Sequence, residues 1–115
     1  MQEATILDPD TEHAARTFLQ KIATRYDIIG AILFGSRASR KHRPDSDADI
    51  AVLLHGPHGE RVDAAIDMTG IAFDVLLETG VLVEALPLWE DEWEHSELFN
   101  NPYLIENIRR EGVPL

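Results

Sequence analysis

Residues 33–54, LFGSRASRKHRPDSDADIAVLL, decide the interpretation of this chain. They begin at the end of an apolar run, Ile28–Phe34 (IIGAILF), which predicts a β-strand buried on both faces. Gly35 and Ser36 end that run, and ten residues later the chain continues with Asp47-Ala48-Asp49. Residues 47–54 then predict a second strand, so two strands flank a polar and basic connection.

The Gly35-Ser36 pair after a buried strand suggests a phosphate site. Such a turn can present backbone N–H groups and a hydroxyl to phosphate oxygens, and a short helix predicted over residues 37–41 adds the positive end of its dipole. Glycine also lets the backbone approach a ligand closely. Taken alone, Gly-Ser after a strand is most often only a turn.

Three aspartates are the candidate metal ligands. Asp47 and Asp49 are two residues apart on a predicted strand, so both carboxylates project from one face. Such a pair suits magnesium, and two ions can clamp a phosphoryl transfer. Residues 71–77 (IAFDVLL) predict a third strand, where Asp74 would complete the cluster and could accept a proton from an attacking hydroxyl. Separately, Asp-x-Asp can be a solvated edge and Asp74 a satisfied core acid.

The remaining segments predict a single mixed α/β domain over residues 1–115, with a small sheet flanked by helices. Asp8-Pro9 begins a helix over residues 9–25, and residues 61–70 form another. Residues 81–86 fit a short strand or helix. Asn101-Pro102 begins a last helix that Gly112 can end.

Composition narrows the function classes. The formal net charge is −11, and no Lys or Arg lies between Arg61 and Arg109, so direct nucleic-acid binding is disfavoured. The acidic surface is either a solvated face or one that docks a basic protein. The absence of cysteines excludes disulfides and thiolate sites. We find no signal peptide or membrane span, so the expected location is cytoplasmic.

The same stretch resembles the signature of the DNA polymerase β-type nucleotidyltransferases, G-S-x10-D-x-D, with matching spacing. The likeness covers residues 28–77 and is closest to the minimal nucleotidyltransferases, implying a polymerase β-like fold. It implies that Gly35 and Ser36 hold a triphosphate and that Asp47 and Asp49, with Asp74 as third acid, bind two Mg²⁺ ions. Arg37 and Arg40 are the expected phosphate contacts. Ser39-Arg40 departs from an Arg-Gly pair common in relatives.

The resemblance also implies a partner. Minimal nucleotidyltransferases commonly act as antitoxins beside a helical HEPN-type toxin and can transfer AMP from ATP to a toxin tyrosine. A hetero-oligomer with such a toxin is therefore expected. Two alternatives remain open: an antitoxin that acts by binding alone, and an enzyme that modifies a small hydroxylated molecule such as an aminoglycoside.

Overall fold

The computed structural model describes residues 7–115, a mixed α/β arrangement with helices flanking a four-stranded sheet, as predicted. None of the described helices is long and apolar enough to cross a bilayer. In chain order the elements are α1 (Pro9–Ile22), β1 (Ile28–Phe34), α2 (Ser36–Ser39), β2 (Ala48–Leu54), α3 (Arg61–Thr79), β3 (Val83–Trp89), α4 (Glu90–Glu94), a 3₁₀ turn (Ser96–Leu98), α5 (Pro102–Glu111) and β4 (Val113–Pro114).

The sheet has the strand order β3-β2-β1-β4. β1 runs antiparallel to β2 and to β4, whereas β2 and β3 are parallel. The end of β1 therefore meets the start of β2, and the start of β3 lies beside it. In this register Asp49 is paired with Phe34 on one side and with Glu84 on the other. One end of the sheet thus collects the Gly35 turn and acidic side chains from two strands.

The two faces of the sheet are covered by different helices. Alternate residues of β2, among them Ile50 and Val52, pack against buried residues of α1 and α3. The intervening residues Ala51 and Leu53 pack instead with Leu88 and with the buried side of α5. Because side chains alternate along a strand, Asp49 projects toward the α5 face, as Glu84 does on β3.

The helix α1 begins where the sequence predicts and ends three residues earlier, at Ile22 instead of Arg25. The Asp8 carboxylate accepts a hydrogen bond from the Thr11 backbone N–H at 3.0 Å, and Pro9 occupies the first turn. Its buried side chains include Ala14 and Phe18, which lie at helical spacing on the sheet-facing side.

The predicted third strand over residues 71–77 is wrong, because α3 continues through it to Thr79. The buried residues of α3 keep helical spacing across Gly70, with Ala64 and Met68 before it and Ile71, Ala72 and Val75 after it. Gly70 costs the helix some propensity but leaves the period intact. The helix ends at Gly80, which adopts φ +79° and donates its N–H to the Leu76 carbonyl at 2.8 Å.

Two other strand predictions need adjustment. The third strand of the sheet is Val83–Trp89, which replaces the uncertain prediction over residues 81–86. β1 has the predicted bounds but is not buried on both faces, since Ile29 is 46% exposed. The edge strand β4 pairs with Ile32 and Leu33, and the Leu115 N–H donates to the Ala31 carbonyl at 2.9 Å, so residues 28–30 of β1 have no paired strand on that side within the described residues.

Candidate active site

The turn after β1 brings the backbone against a carboxylate. Gly35 has φ +75°, a conformation that residues with a Cβ rarely adopt. A Cβ at this position would overlap Asp49 Oδ2. Glycine is therefore needed twice, once for the backbone angle and once for the space that the Asp49 carboxylate occupies.

The second feature is a pair of carboxyl groups, Asp49 on β2 and Glu84 on β3. Their strands are parallel and the two residues are partners in the register. Burial raises the pKa of Asp49 to about 6, together with the charges of Glu84 and Asp47 and a hydrogen bond with the Glu84 carboxyl. Asp49 is half-buried and Glu84 is exposed. Three negative groups are thus crowded at one end of the sheet.

This crowding fits a hard divalent cation. Across the part of the chain that the structure describes, no three His, Asp or Glu side chains converge closely enough to hold a metal ion by themselves. Magnesium, however, is usually held by one or two carboxylates together with substrate phosphates and water. Asp49 with Asp47 or Glu84 supplies such a donor set, and a cation there would offset the repulsion that raises the pKa of Asp49.

Arg37, which the sequence predicts as a phosphate contact, is only 2% exposed, and its guanidinium is held by other groups of the protein. Its guanidinium donates to the Thr11 hydroxyl at 2.8 Å, the Ser46 carbonyl at 2.9 Å and the Pro44 carbonyl at 3.2 Å. These bonds fix the segment directly before Asp47. Arg37 is therefore a positioning residue that joins α1 to the start of β2.

The profile of the family described as "Polymerase beta, Nucleotidyltransferase" matches residues 18–84. This chain belongs to that family. The match extends from within α1 to Glu84. It therefore includes the Gly35 turn and the acidic residues at the beginning of β2 and β3.

Comparison with solved structures gives a protein from Sulfolobus solfataricus, proposed to be a nucleotidyltransferase, whose crystal structure was determined at 1.40 Å resolution. The two chains are 22% identical, the similarity covers 74% of this chain and 78% of the other, and the TM-score is 0.49. No curated protein matches the chain.

Within this nucleotidyltransferase-type domain, Asp74 is not where the sequence prediction put it. It lies on the exposed side of α3, with Lys21 of α1 nearby, and is not part of the acidic end of the sheet. The prediction failed because it depended on a strand at residues 71–77. The acidic side chain that the structure instead brings beside Asp49 is Glu84, which sequence reasoning missed. Its signal is a single acid inside the apolar run of residues 81–89, one of the segments without a firm assignment.

The connection between α2 and β2 carries the basic residues of the site. Arg40, Lys41 and Arg43 are exposed, and Arg40 adopts φ +61°. Glycine adopts a positive φ with less strain than arginine does. Arg40 is the position at which the resemblance leads us to expect Gly. Gly35, Ser36 and Arg40 remain predicted phosphate contacts, and Asp47 and Asp49 remain predicted metal ligands.

Proposed function

We propose that this protein is a magnesium-dependent nucleotidyltransferase that transfers AMP from ATP to a hydroxyl group of a protein partner. The observation that carries the proposal is the meeting of the Gly35 turn with the Asp49 and Glu84 carboxyl groups. A phosphate-binding turn beside crowded carboxylates is the arrangement that phosphoryl transfer requires. The family match supports the same reaction class.

The residues have distinct roles in this proposal. Asp47 and Asp49, with Glu84 in the place first predicted for Asp74, would hold magnesium. When bound, the ion supplies Lewis-acid polarisation of the α-phosphate and neutralises the leaving group. Ser36 and the backbone at Gly35 would bind phosphate oxygens, and Arg40 would add positive charge from the exposed connection.

The chemical step balances as a substitution at phosphorus. The acceptor oxygen forms a bond to the α-phosphorus, and the bond from that phosphorus to the pyrophosphate oxygen breaks. The acceptor proton passes to a carboxylate, and we assign this role to Glu84, which is exposed and lies beside Asp49. Pyrophosphate leaves with the electron pair of the broken bond.

The proposed partner is a helical HEPN-type toxin, with a tyrosine as acceptor and the present protein as antitoxin. The resemblance to minimal nucleotidyltransferases supports this pairing, as does the net charge of −11, which suits a partner with a basic RNA-binding face. The expected assembly is a hetero-oligomer in the cytoplasm.

The test is an AMP-transfer assay with labelled ATP, magnesium and the purified product of the gene adjacent to this chain's gene as the candidate partner. Label should appear on the partner, be lost with Asp47→Asn/Asp49→Asn and persist with Asp74→Asn, the matched control. Label that survives the double substitution would contradict the proposal. Tight complex formation by both forms without any label would favour an antitoxin that acts by binding alone, and label on a small hydroxylated molecule alone would favour the other alternative.

A further inference from the structure

The outer side of α3 carries an exposed apolar stripe formed by Val62, Ile66, Phe73 and Leu77. Their exposed fractions lie between 59% and 83%. These four account for half of the eight large apolar side chains that are exposed in residues 7–115. Single exposed apolar residues are ordinary, but a contiguous group on one element marks an interaction surface.

The spacing of the stripe shows that it is a helix face. Its members follow one another at four, seven and four residues, directly opposite the buried side that begins at Ala64. At 1.5 Å per residue, the stripe from Val62 to Leu77 is about 22 Å long. Gly70 lies midway, and a Cβ there would meet nothing within 4 Å, so the stripe has a notch between Ile66 and Phe73. This shape suits a partner helix packed along α3.

Acidic side chains border the stripe on the side that faces α1. Asp67 pairs with Arg25 at 3.1 Å, and Glu78 pairs with Lys21 at 2.9 Å. Asp63 and Asp74 lie in the same row and form no ion pair with any other residue among 7–115. The charge of Asp63, and the part of the Asp74 charge that the nearby Lys21 does not offset, are therefore left to face whatever packs against the stripe.

This charge pattern argues against a second copy packed in the antiparallel sense. A two-fold axis perpendicular to both helices keeps the acidic row on the same side of the pair. Asp63 of one copy would then lie opposite the end of the row that contains Asp74 and Glu78 in the other. Like charges facing each other disfavour that pairing, whereas a partner with Lys or Arg beside its apolar stripe would complement the row.

We propose that the outer face of α3 docks an amphipathic helix of another protein, one whose apolar stripe is bordered by basic side chains. This surface lies on the sheet face opposite Asp49 and Glu84, so a docked helix leaves the nucleotide site open. The inference thus goes beyond the proposed transfer reaction and does not depend on it.

The probe is a pair of labelled synthetic helical peptides that share one leucine stripe, bordered by Lys in one and by Glu in the other. Fluorescence anisotropy without nucleotide or metal measures binding. We expect the Lys peptide to bind at a ratio of one to one and the Glu peptide not to bind. Phe73→Ser/Leu77→Ser should weaken binding roughly tenfold or more. Asp63→Asn/Asp74→Asn should weaken it and reduce its dependence on salt.

The matched control is Leu98→Ser/Tyr103→Ser, which removes two exposed apolar side chains outside α3. This variant should bind the Lys peptide as the unchanged protein does, and circular dichroism should show all variants folded, since every substituted residue is exposed. Failure of the Lys peptide to bind, or equal binding by the Phe73→Ser/Leu77→Ser variant, would overturn the inference. A dimer of the protein that these two substitutions dissociate would also overturn it, by assigning the face to a second copy. Because the assay contains no ATP, its outcome is separate from that of the transfer test.

Discussion

The two ends of α1 contact two regions that differ in how their charges are held. Near its start, Thr11 connects Asp8 to Arg37 through hydrogen bonds of 2.6 and 2.8 Å, the second of them buried, which fixes the site loop of residues 35–47. Near its end, Lys21 and Arg25 pair with acids of α3 in largely exposed positions. Exposed ion pairs contribute little to stability, whereas buried hydrogen bonds of a charged group fix position. Whether a charged side chain fixes the position of its neighbours therefore depends on its burial and on its hydrogen-bond partners, and not on its residue type.

The same contrast applies to the carboxylates and gives the largest expected effect. Glu84→Gln should reduce AMP transfer about 100- to 1000-fold, because it removes the carboxylate beside Asp49 that is proposed to hold magnesium and to accept the acceptor proton. Asp74→Asn on α3 should change the rate less than about twofold, since an exposed charge away from the site contributes little. Initial rates at saturating ATP and saturating partner protein measure both, so that a weaker docking affinity of α3 does not enter the comparison. Equal losses in the two variants would mean that α3 takes part in the chemistry.

The second largest expected effect is on stability, and it compares an arginine that contacts the start of α1, Arg37, with one that follows its end, Arg25. Arg37→Met should lower the free energy of unfolding by about 3 kcal/mol, because it breaks the bonds to Thr11, Ser46 and Pro44 and leaves buried acceptors unpaired. Arg25→Met, which removes only the exposed pair with Asp67, should cost less than about 1 kcal/mol. Urea unfolding followed by circular dichroism measures both values. If Arg37→Met proved as mild as Arg25→Met, its bonds would not fix the loop.

The sequence was sufficient to predict those features of the fold and of the candidate site that depend on local sequence pattern. The bounds of β1, the Gly35 turn and the cap of α1 follow from short segments whose neighbours in the chain are also their neighbours in space. The second strand was predicted from Asp47 and begins one residue later, at Ala48, so that Asp47 lies just before it. The mixed α/β fold followed from the same elements, and it is confirmed.

The parts that could not be predicted depend on contacts distant in the chain. Residues 71–77 are apolar enough for a strand or a helix, and only the packing of α3 on α1 and the sheet decides between them. That one choice places Asp74 on α3, away from Asp49, and leaves Glu84 of β3 as the acidic neighbour of Asp49. Arg37 looks like its basic neighbours in sequence, and its burial depends on Thr11, 26 residues earlier.

A third comparison separates the two constraints on Gly35. Gly35 and Gly56 both have positive φ, +75° and +87°, but only a Cβ at Gly35 would overlap another group, Asp49 Oδ2. Gly56→Ala should therefore cost about 1 kcal/mol for the backbone angle alone, and Gly35→Ala about 2 kcal/mol. The two variants should differ more in their affinity for magnesium-ATP, measured by calorimetry, than in their stability. We expect only Gly35→Ala to weaken binding. Equal behaviour in both measurements would remove the steric role of Gly35.

The smallest expected effect tests whether the Asp8 charge stabilises the loop side of α1. Burial of Asp8 opposes ionisation, but hydrogen bonds from the Thr11 side chain and backbone and the charges of His42 and Arg37 outweigh it, so the pKa of Asp8 is lowered. In the unfolded chain Asp8 has an ordinary aspartate pKa of about 3.9. As the pH falls, Asp8 is therefore protonated in the unfolded chain before it is protonated in the folded protein. The stabilisation is thus fully present above that pH and is lost as the pH falls through the lower folded value.

Asp8→Asn tests this contribution, because asparagine can still accept the capping bond from the Thr11 N–H, whereas its amide nitrogen cannot accept the second bond, from the Thr11 hydroxyl. The variant should be less stable by about 1 kcal/mol at pH 7, and the difference should shrink below about pH 4. Glu78→Gln, which removes the exposed partner of Lys21, should cost less than about 0.5 kcal/mol at pH 7. Urea unfolding of the three proteins between pH 7 and pH 3 gives the comparison. If the Asp8→Asn difference stayed constant with pH, the cap geometry rather than the charge would hold this end of α1, and the contrast between its two ends would rest on Arg37 alone.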